Sequence, residues 1–410
     1  MPRIGLVGSY GGLNIGDEAI LTSMLAGLRE AMPFAEVVIF SRDAAHTRDT
    51  HPVDRVLDAR RGPCDAVTEE IAKLDVLVLG GGGLLYDSEA TEYLRHVRTA
   101  HRYGVPTVAY AIGAGPLTTP EDRRVVREVV SEMTRVTVRD EDSKRVLHEV
   151  GVERPVQVVA DPALLLTPEP FPAEALIGEG VDPSGRLIAM SVREPGRAAP
   201  DLSVDEYHSL MAAVADFAVS RYDGQVLFVP MERVDVRESH AVLGRMVAPE
   251  RGRVLHGSYG PQEVLGLMQN VDLAVGMRLH FLIFAAISGV PFMPLPYAGK
   301  VSEFARAVGI PTPASLGRDA VGPLLSAIDR LWDEREENRR RTRRRIEKLR
   351  PRAAATLQSV LDVLHKPMLR AAPTVAGEFI EQEGTRRAPV DPTGYSGAAD
   401  PAPALSAAGG

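Results

Sequence analysis

Asp75-Val76-Leu77-Val78-Leu79-Gly80-Gly81-Gly82-Gly83 is the stretch on which the reading of the fold turns. Val76 to Leu79 are apolar without alternation, the pattern of a strand buried on both faces. Such a strand belongs inside a parallel sheet covered by helices, and the glycines end it in a turn. Pro106-Thr107-Val108-Ala109-Tyr110-Ala111 reads the same way and runs into Ile112-Gly113-Ala114-Gly115. Outward from these two, strands are predicted at 3–8, 36–40, 135–139 and 156–160. Ile20, Leu21, Met24, Leu25 and Leu28 recur at helical spacing within 17–32, and 120–134 and 141–150 behave alike. Strands alternating with helices predict a parallel, doubly wound sheet.

The rhythm breaks at 167–186, where Pro168, Pro170, Pro172 and Pro183 cluster with glycines, and a second series follows. Its strands are predicted near 187–193, 225–231, 253–256, 272–276 and 291–296, with helices near 203–220, 261–270, 280–288 and 300–308. The expected architecture is α/β and GT-B-like, two doubly wound Rossmann-like domains facing a central cleft. The first covers 1–166, a linker 167–186, and the second 187–315. Charged helices follow over 316–366. The stretch 367–410, rich in Ala, Pro, Gly and Thr, is expected to be disordered. Arg339–Arg345 reads as a solvated helix face balanced by nearby glutamates, with a surface for an anionic membrane or polymer as the alternative.

Composition narrows the function. A chain of 410 residues, 45% hydrophobic and 25% charged, has core enough for two globular domains. The net charge of -8 argues against a nucleic-acid partner, which a basic excess would favour. Cys64 is the only cysteine and no Cys/His cluster has zinc spacing, so neither a disulfide nor a metal site is expected. The opening Ile4-Gly5-Leu6-Val7 reads as a strand rather than a leader, and no apolar window reaches membrane-span length. The expectation is a cytoplasmic protein with no transmembrane segment.

Chemistry concentrates where strands end, because ligands of open α/β sheets bind at their carboxyl edge. Gly8 to Glu18 carries Gly11, Asn14, Gly16 and Asp17 at a strand-to-helix junction, where backbone N–H groups can approach an anion. Its spacing is not that of a dinucleotide fingerprint, and Asp17 alone could be a helix cap or a catalytic group. Gly81, Gly82 and Gly83 form a second loop, lying against a substrate or against the first loop, with a plain tight turn as the alternative, and Gly113 belongs to a third. Together they make one wall poor in side chains. The opposite wall is basic: Arg193, Arg278, His280 and Lys300 stand at successive strand ends of the second series. Arginine suits carboxylate and phosphate, and a histidine opening a helix suits a proton donor near neutral pH.

Asn14-Ile15-Gly16-Asp17, Gly80-Gly81-Gly82, Ala111-Ile112-Gly113, Val138-Arg139-Asp140, Asp161-Pro162, Gly276-Met277-Arg278-Leu279-His280 and Pro296-Tyr297 with Lys300-Val301 resemble, in order and spacing, the polysaccharide pyruvyl transferase family. The resemblance covers roughly residues 3–310. It implies transfer of a pyruvyl group from phosphoenolpyruvate, a co-substrate, to two hydroxyls of a sugar, forming a cyclic ketal and releasing phosphate, with no cofactor and no metal. On that reading Arg193, Arg278 and Lys300 hold phosphoenolpyruvate, His280 protonates its methylene carbon, and Asp17 accepts a hydroxyl proton or orients the acceptor. The sugar acceptor is free or lipid-linked, with peripheral membrane contact left open. Ala298-Gly299 departs from the aspartate-proline that family members often carry, and bears on acceptor contacts. Two other readings suit the same residues: a GT-B glycosyltransferase using a nucleotide sugar, and a noncatalytic sugar-phosphate-binding scaffold.

Overall fold

The two apolar runs lie side by side in the computed structural model, which describes residues 1–12, 14–60, 64–195, 201–295, 299–313 and 316–365. The first sheet contains β1 (Arg3–Val7), β2 (Glu36–Ser41), β3 (Arg55–Asp58), β4 (Val76–Leu79), β5 (Gly82–Leu85), β6 (Thr107–Ala114), β7 (Arg135–Val138) and β8 (Val156–Val158). Their order is β3-β2-β1-β4-β6-β7-β8, all parallel, with β5 paired to the far end of β6. The second sheet holds β9 (Arg186–Ser191), β10 (Gly224–Phe228), β11 (Gly252–Val254), β12 (Leu273–Gly276) and β13 (Phe292–Pro294), in the order β11-β10-β9-β12-β13, also parallel. Each order reverses once, at β1/β4 and at β9/β12. A crevice opens outside such a switch point, so topology alone directs both binding edges.

Three apolar cores follow from this arrangement. One fills the outer side of the first sheet and one the outer side of the second. The third is shared: Ile20 and Met24 of the first helix (Ile15–Ala31) belong to the same buried cluster as Phe281 and Phe284 of the helix Leu279–Ser288. The 30-residue helix Arg335–Leu364 returns to the first sheet, where Arg350 and Arg352 donate to the carbonyls of Leu164 (3.2 Å) and Val159 (3.1 Å). Within its arginine run, Arg339 pairs with Glu336 (3.2 Å) and Arg340 with Glu337 (2.8 Å).

Several expectations need correcting. β3 and the helices Ala44–Thr50, Cys64–Ile71, Ala90–Arg102 and Asp235–Leu243 fall where no element was predicted. The stretch 167–186 contains a short helix, Ala173–Gly178. The second glycine loop is not a turn throughout, since Gly82 and Gly83 open β5. The segment 367–410, expected to be disordered, falls outside the described residues, as do Tyr297 and Ala298. No described helix is long and apolar enough to cross a membrane.

Candidate active site

The loop after β1 is locked before it meets any ligand. Asn14 caps the first helix, its Oδ1 accepting from Gly16 N at 2.9 Å. Capping therefore falls to Asn14 and leaves the Asp17 carboxylate for other work. Glu18 turns back to accept from Gly11 N (2.8 Å) and contacts His51 Nε2 (2.6 Å). Gly11 has φ +70°, and a Cβ there would strike Ser41 and the Asp43 backbone (2.7 Å), so only glycine fits.

The second loop lies against the first. A Cβ on Gly80 would collide with Tyr10, one on Gly81 with Ile20 (2.9 Å), and one on Gly82 with Asp17 Oδ1 (2.9 Å). Gly113 gives the same clearance to the Arg139 guanidinium, 2.8 Å from a Cβ placed there. Gly16 matters most: a Cβ on it would fall within the His280 imidazole, so a side chain of the second half seats directly on the first helix.

These contacts border one cleft of about 970 Å³. Asn14, Asp17, Gly83 and Gly113 line it from the first half, and Arg193, Arg278, His280 and Lys300 from the second. Gly11, Gly16, Gly81 and Gly82 stand behind that surface and permit the close packing just described, rather than lining it. Asp17 is 9% exposed, and burial raises its pKa. His280, a hydrogen bond from Ser9 and Lys300 act against the rise, while the charge of Glu232 adds to it. Groups from both sheets thus act on one carboxyl.

Two carboxylate networks brace the second wall. His280 Nε2 is buried 3.5 Å from Asp161 Oδ2, an ion-pair distance. Asp161 also accepts from Arg139 Nη1 (3.1 Å) and Ala163 N (3.0 Å). Burial opposes its charge, but His280, Arg139 and the backbone N–H prevail and hold its pKa well below the usual carboxylate range. Arg278 is committed elsewhere. Its Nη atoms bond Glu232 at 2.7 and 2.8 Å, and Nε and Nη2 bond Asp235 at 2.9 and 2.6 Å. Four of a guanidinium's five N–H donors are so engaged. This weighs against the expectation that Arg278 holds an anionic donor, and makes it the anchor of Glu232. That carboxylate accepts in turn from Asn14 Nδ2 (2.6 Å), while Ile15 N bonds Met231 O (2.9 Å), so the network ties both halves at the cleft floor.

Asp161, Arg139, Glu232 and Asp235 were not among the predicted site residues. Asp161 and Arg139 lie in motif pieces whose roles sequence could not assign. Glu232 and Asp235 carry one available signal, two acids just beyond a strand end in Pro230-Met231-Glu232-Arg233-Val234-Asp235.

Two facing parallel sheets with a charged cleft define a GT-B-like α/β protein. The chain resembles the UDP-GlcNAc 2-epimerase of Neisseria meningitidis solved with UDP-GlcNAc (TM-score 0.59, 12% identity, 88% of this chain and 100% of that one). It also resembles Anabaena Alr3699/HepE solved with UDP-glucose (TM-score 0.58, 15% identity, 89% and 99%). Identities this low establish fold alone. The chain belongs to the polysaccharide pyruvyl transferase family, whose model matches residues 14–299. It is 22% identical over 299 residues to the amylovoran biosynthesis protein AmsJ of Erwinia amylovora, spanning 69% of this chain and 71% of AmsJ. A transferase role in polysaccharide synthesis follows from that membership.

Proposed function

We propose that this protein transfers the pyruvyl group of phosphoenolpyruvate to two hydroxyls of a sugar as a cyclic ketal. The supporting observation is the placement of Asp17 and His280 on opposite walls of one cleft, with Arg193 and Lys300 on the same surface. Arg193 and Lys300 hold the donor's phosphate and carboxylate, assisted by the N-terminus of the helix Leu279–Ser288, whose N–H groups receive no capping bond from the N-cap side chain. His280 gives a proton to the methylene carbon, which becomes a methyl group, and positive charge develops at the adjacent carbon. A sugar hydroxyl attacks that carbon and passes its proton to Asp17. The carbon–oxygen bond to phosphate then breaks, phosphate leaves with its electron pair, and the second hydroxyl closes the ketal with loss of its own proton. Asp161 acts through His280 as a positioning residue.

The test is incubation with phosphoenolpyruvate and a panel of sugars, reading inorganic phosphate and acceptor mass. Phosphate release with the mass gain of a pyruvyl ketal is expected. Release of a nucleoside diphosphate from a nucleotide sugar instead would establish glycosyl transfer. His280→Gln should lower turnover by about 10²–10⁴-fold, the usual scale of general acid catalysis. Near-normal turnover would remove His280 from that role.

A further inference from the structure

The arginines around the cleft are not equivalent. Arg139, Arg145 and Arg278 each pair with carboxylates. Arg42, half-buried on the first wall, has only neutral partners: Nη1 contacts Ser9 Oγ at 3.2 Å and Tyr93 Oη at 3.4 Å, and no described carboxylate pairs with it. Both contacts come from one nitrogen, which leaves most of a five-donor fork unused. Tyr86 also lines this end of the cleft, 37% exposed, and Arg42 is among the charges acting on its hydroxyl. Ser9 stands between Arg42 and Asp17 in function: all three line the same cleft, and the Ser9 hydroxyl is among the groups that hold the Asp17 pKa down. Arg42 therefore borders the same stretch of cleft wall as Asp17, with Ser9 bonded to it at 3.2 Å.

We infer that Arg42, with Ser9, Tyr86 and Tyr93, forms an acceptor subsite for a sugar bearing an anionic group, either carboxylate or phosphate. The inference rests on the reading that Asp17 meets the acceptor's hydroxyl. A sugar at Asp17 brings its neighbouring substituents to Arg42, whose planar fork matches two oxygens of a carboxylate or phosphate. The exposed Tyr86 ring offers an apolar face to the sugar's C–H groups and a polar tip to its hydroxyls. A neutral sugar offers the guanidinium only hydroxyl acceptors, whereas an anion makes the stronger charge-assisted bonds, so the subsite favours charge.

The test is titration calorimetry with phosphoenolpyruvate present, so that the donor cations are occupied. Glucose, glucuronic acid and glucose 1-phosphate are compared, then the corresponding galactose and mannose sets, on the wild type and on R42M and R42K. At least one anionic sugar is expected to bind about tenfold more tightly than its neutral parent, an advantage of about 1.4 kcal/mol. R42M should abolish that advantage and R42K should keep part of it. Preference for the uronic acid identifies a carboxylate on the acceptor sugar, and preference for the 1-phosphate identifies the linkage to a carrier. No preference in any set, or a preference that survives R42M, overturns the subsite. Phosphate release from phosphoenolpyruvate is followed separately on the wild type. Release without anion preference removes the subsite and keeps pyruvyl transfer, whereas anion preference through Arg42 without release does the reverse.

Discussion

Gly16→Ala puts the assembly of the site to its severest test, because one methyl group in the first half should disable a histidine of the second. Gly16 lies in the first turn of a helix and has no positive φ, so backbone preference alone favours alanine there by about 0.5–1 kcal/mol. Sterics act the other way. The added Cβ would meet Nδ1 and Cγ of His280, and overlap with Cγ cannot be relieved by turning the ring about χ2. The imidazole must swing about χ1, away from Asp161, or the helix must move. Overpacking of this kind costs about 1–3 kcal/mol, so the net destabilisation should fall between about 0 and 2.5 kcal/mol. Activity is more sensitive, since a displacement of about 1 Å of a catalytic group can cost about 100-fold. The assay is phosphate release from phosphoenolpyruvate beside urea unfolding, with Gly322→Ala as control. Gly322 lies in the helix Val321–Asp333 with no atom within 4 Å of a Cβ, so that variant should gain stability and keep full activity. If Gly16→Ala kept activity within threefold of wild type, the seating of His280 on this helix would be irrelevant to catalysis.

Arg278→Met should destabilise by about 3–5 kcal/mol, because Glu232 and the fully buried Asp235 lose their shared counter-charge; chemical denaturation reads this directly. Asp17 has a pKa raised by burial, so its ionisation opposes folding as pH rises from about 3.9 through the folded value. Asp17→Asn should therefore be inactive in phosphate release, more stable than wild type at pH 7, and equal to it in acid. Asp161 has the opposite sign. Its depressed folded pKa adds stability above about pH 3.9 that is lost as pH falls toward the folded value, so the stability deficit of Asp161→Asn should shrink on acidification, by urea titration at several pH values.

Both sheets and their binding edges were legible in the residues, since β4 and β6 lack alternation and glycines follow at their ends. These are local signals: a doubly buried strand must be apolar throughout, and a close backbone approach must lack Cβ atoms. β3 escaped because Arg55–Asp58 is a short edge strand with none of its residues fully buried. The helix Ala90–Arg102 is amphipathic but rich in charge and histidine, so its buried Tyr93, Leu94 and Val97 gave no continuous apolar signal. By itself the sequence determined an α/β chain of two parallel sheets, a glycine-lined wall opposite a basic one, and Asp17 with His280 as the residues to watch. Only the tertiary structure decided which cation serves which purpose. Arg278 and Arg42 are chemically alike in sequence, yet the first is taken up by Glu232 and Asp235 and the second meets only hydroxyls. A guanidinium's availability depends on which carboxylates lie within about 4 Å, and those partners are 46 and 43 residues from Arg278 along the chain.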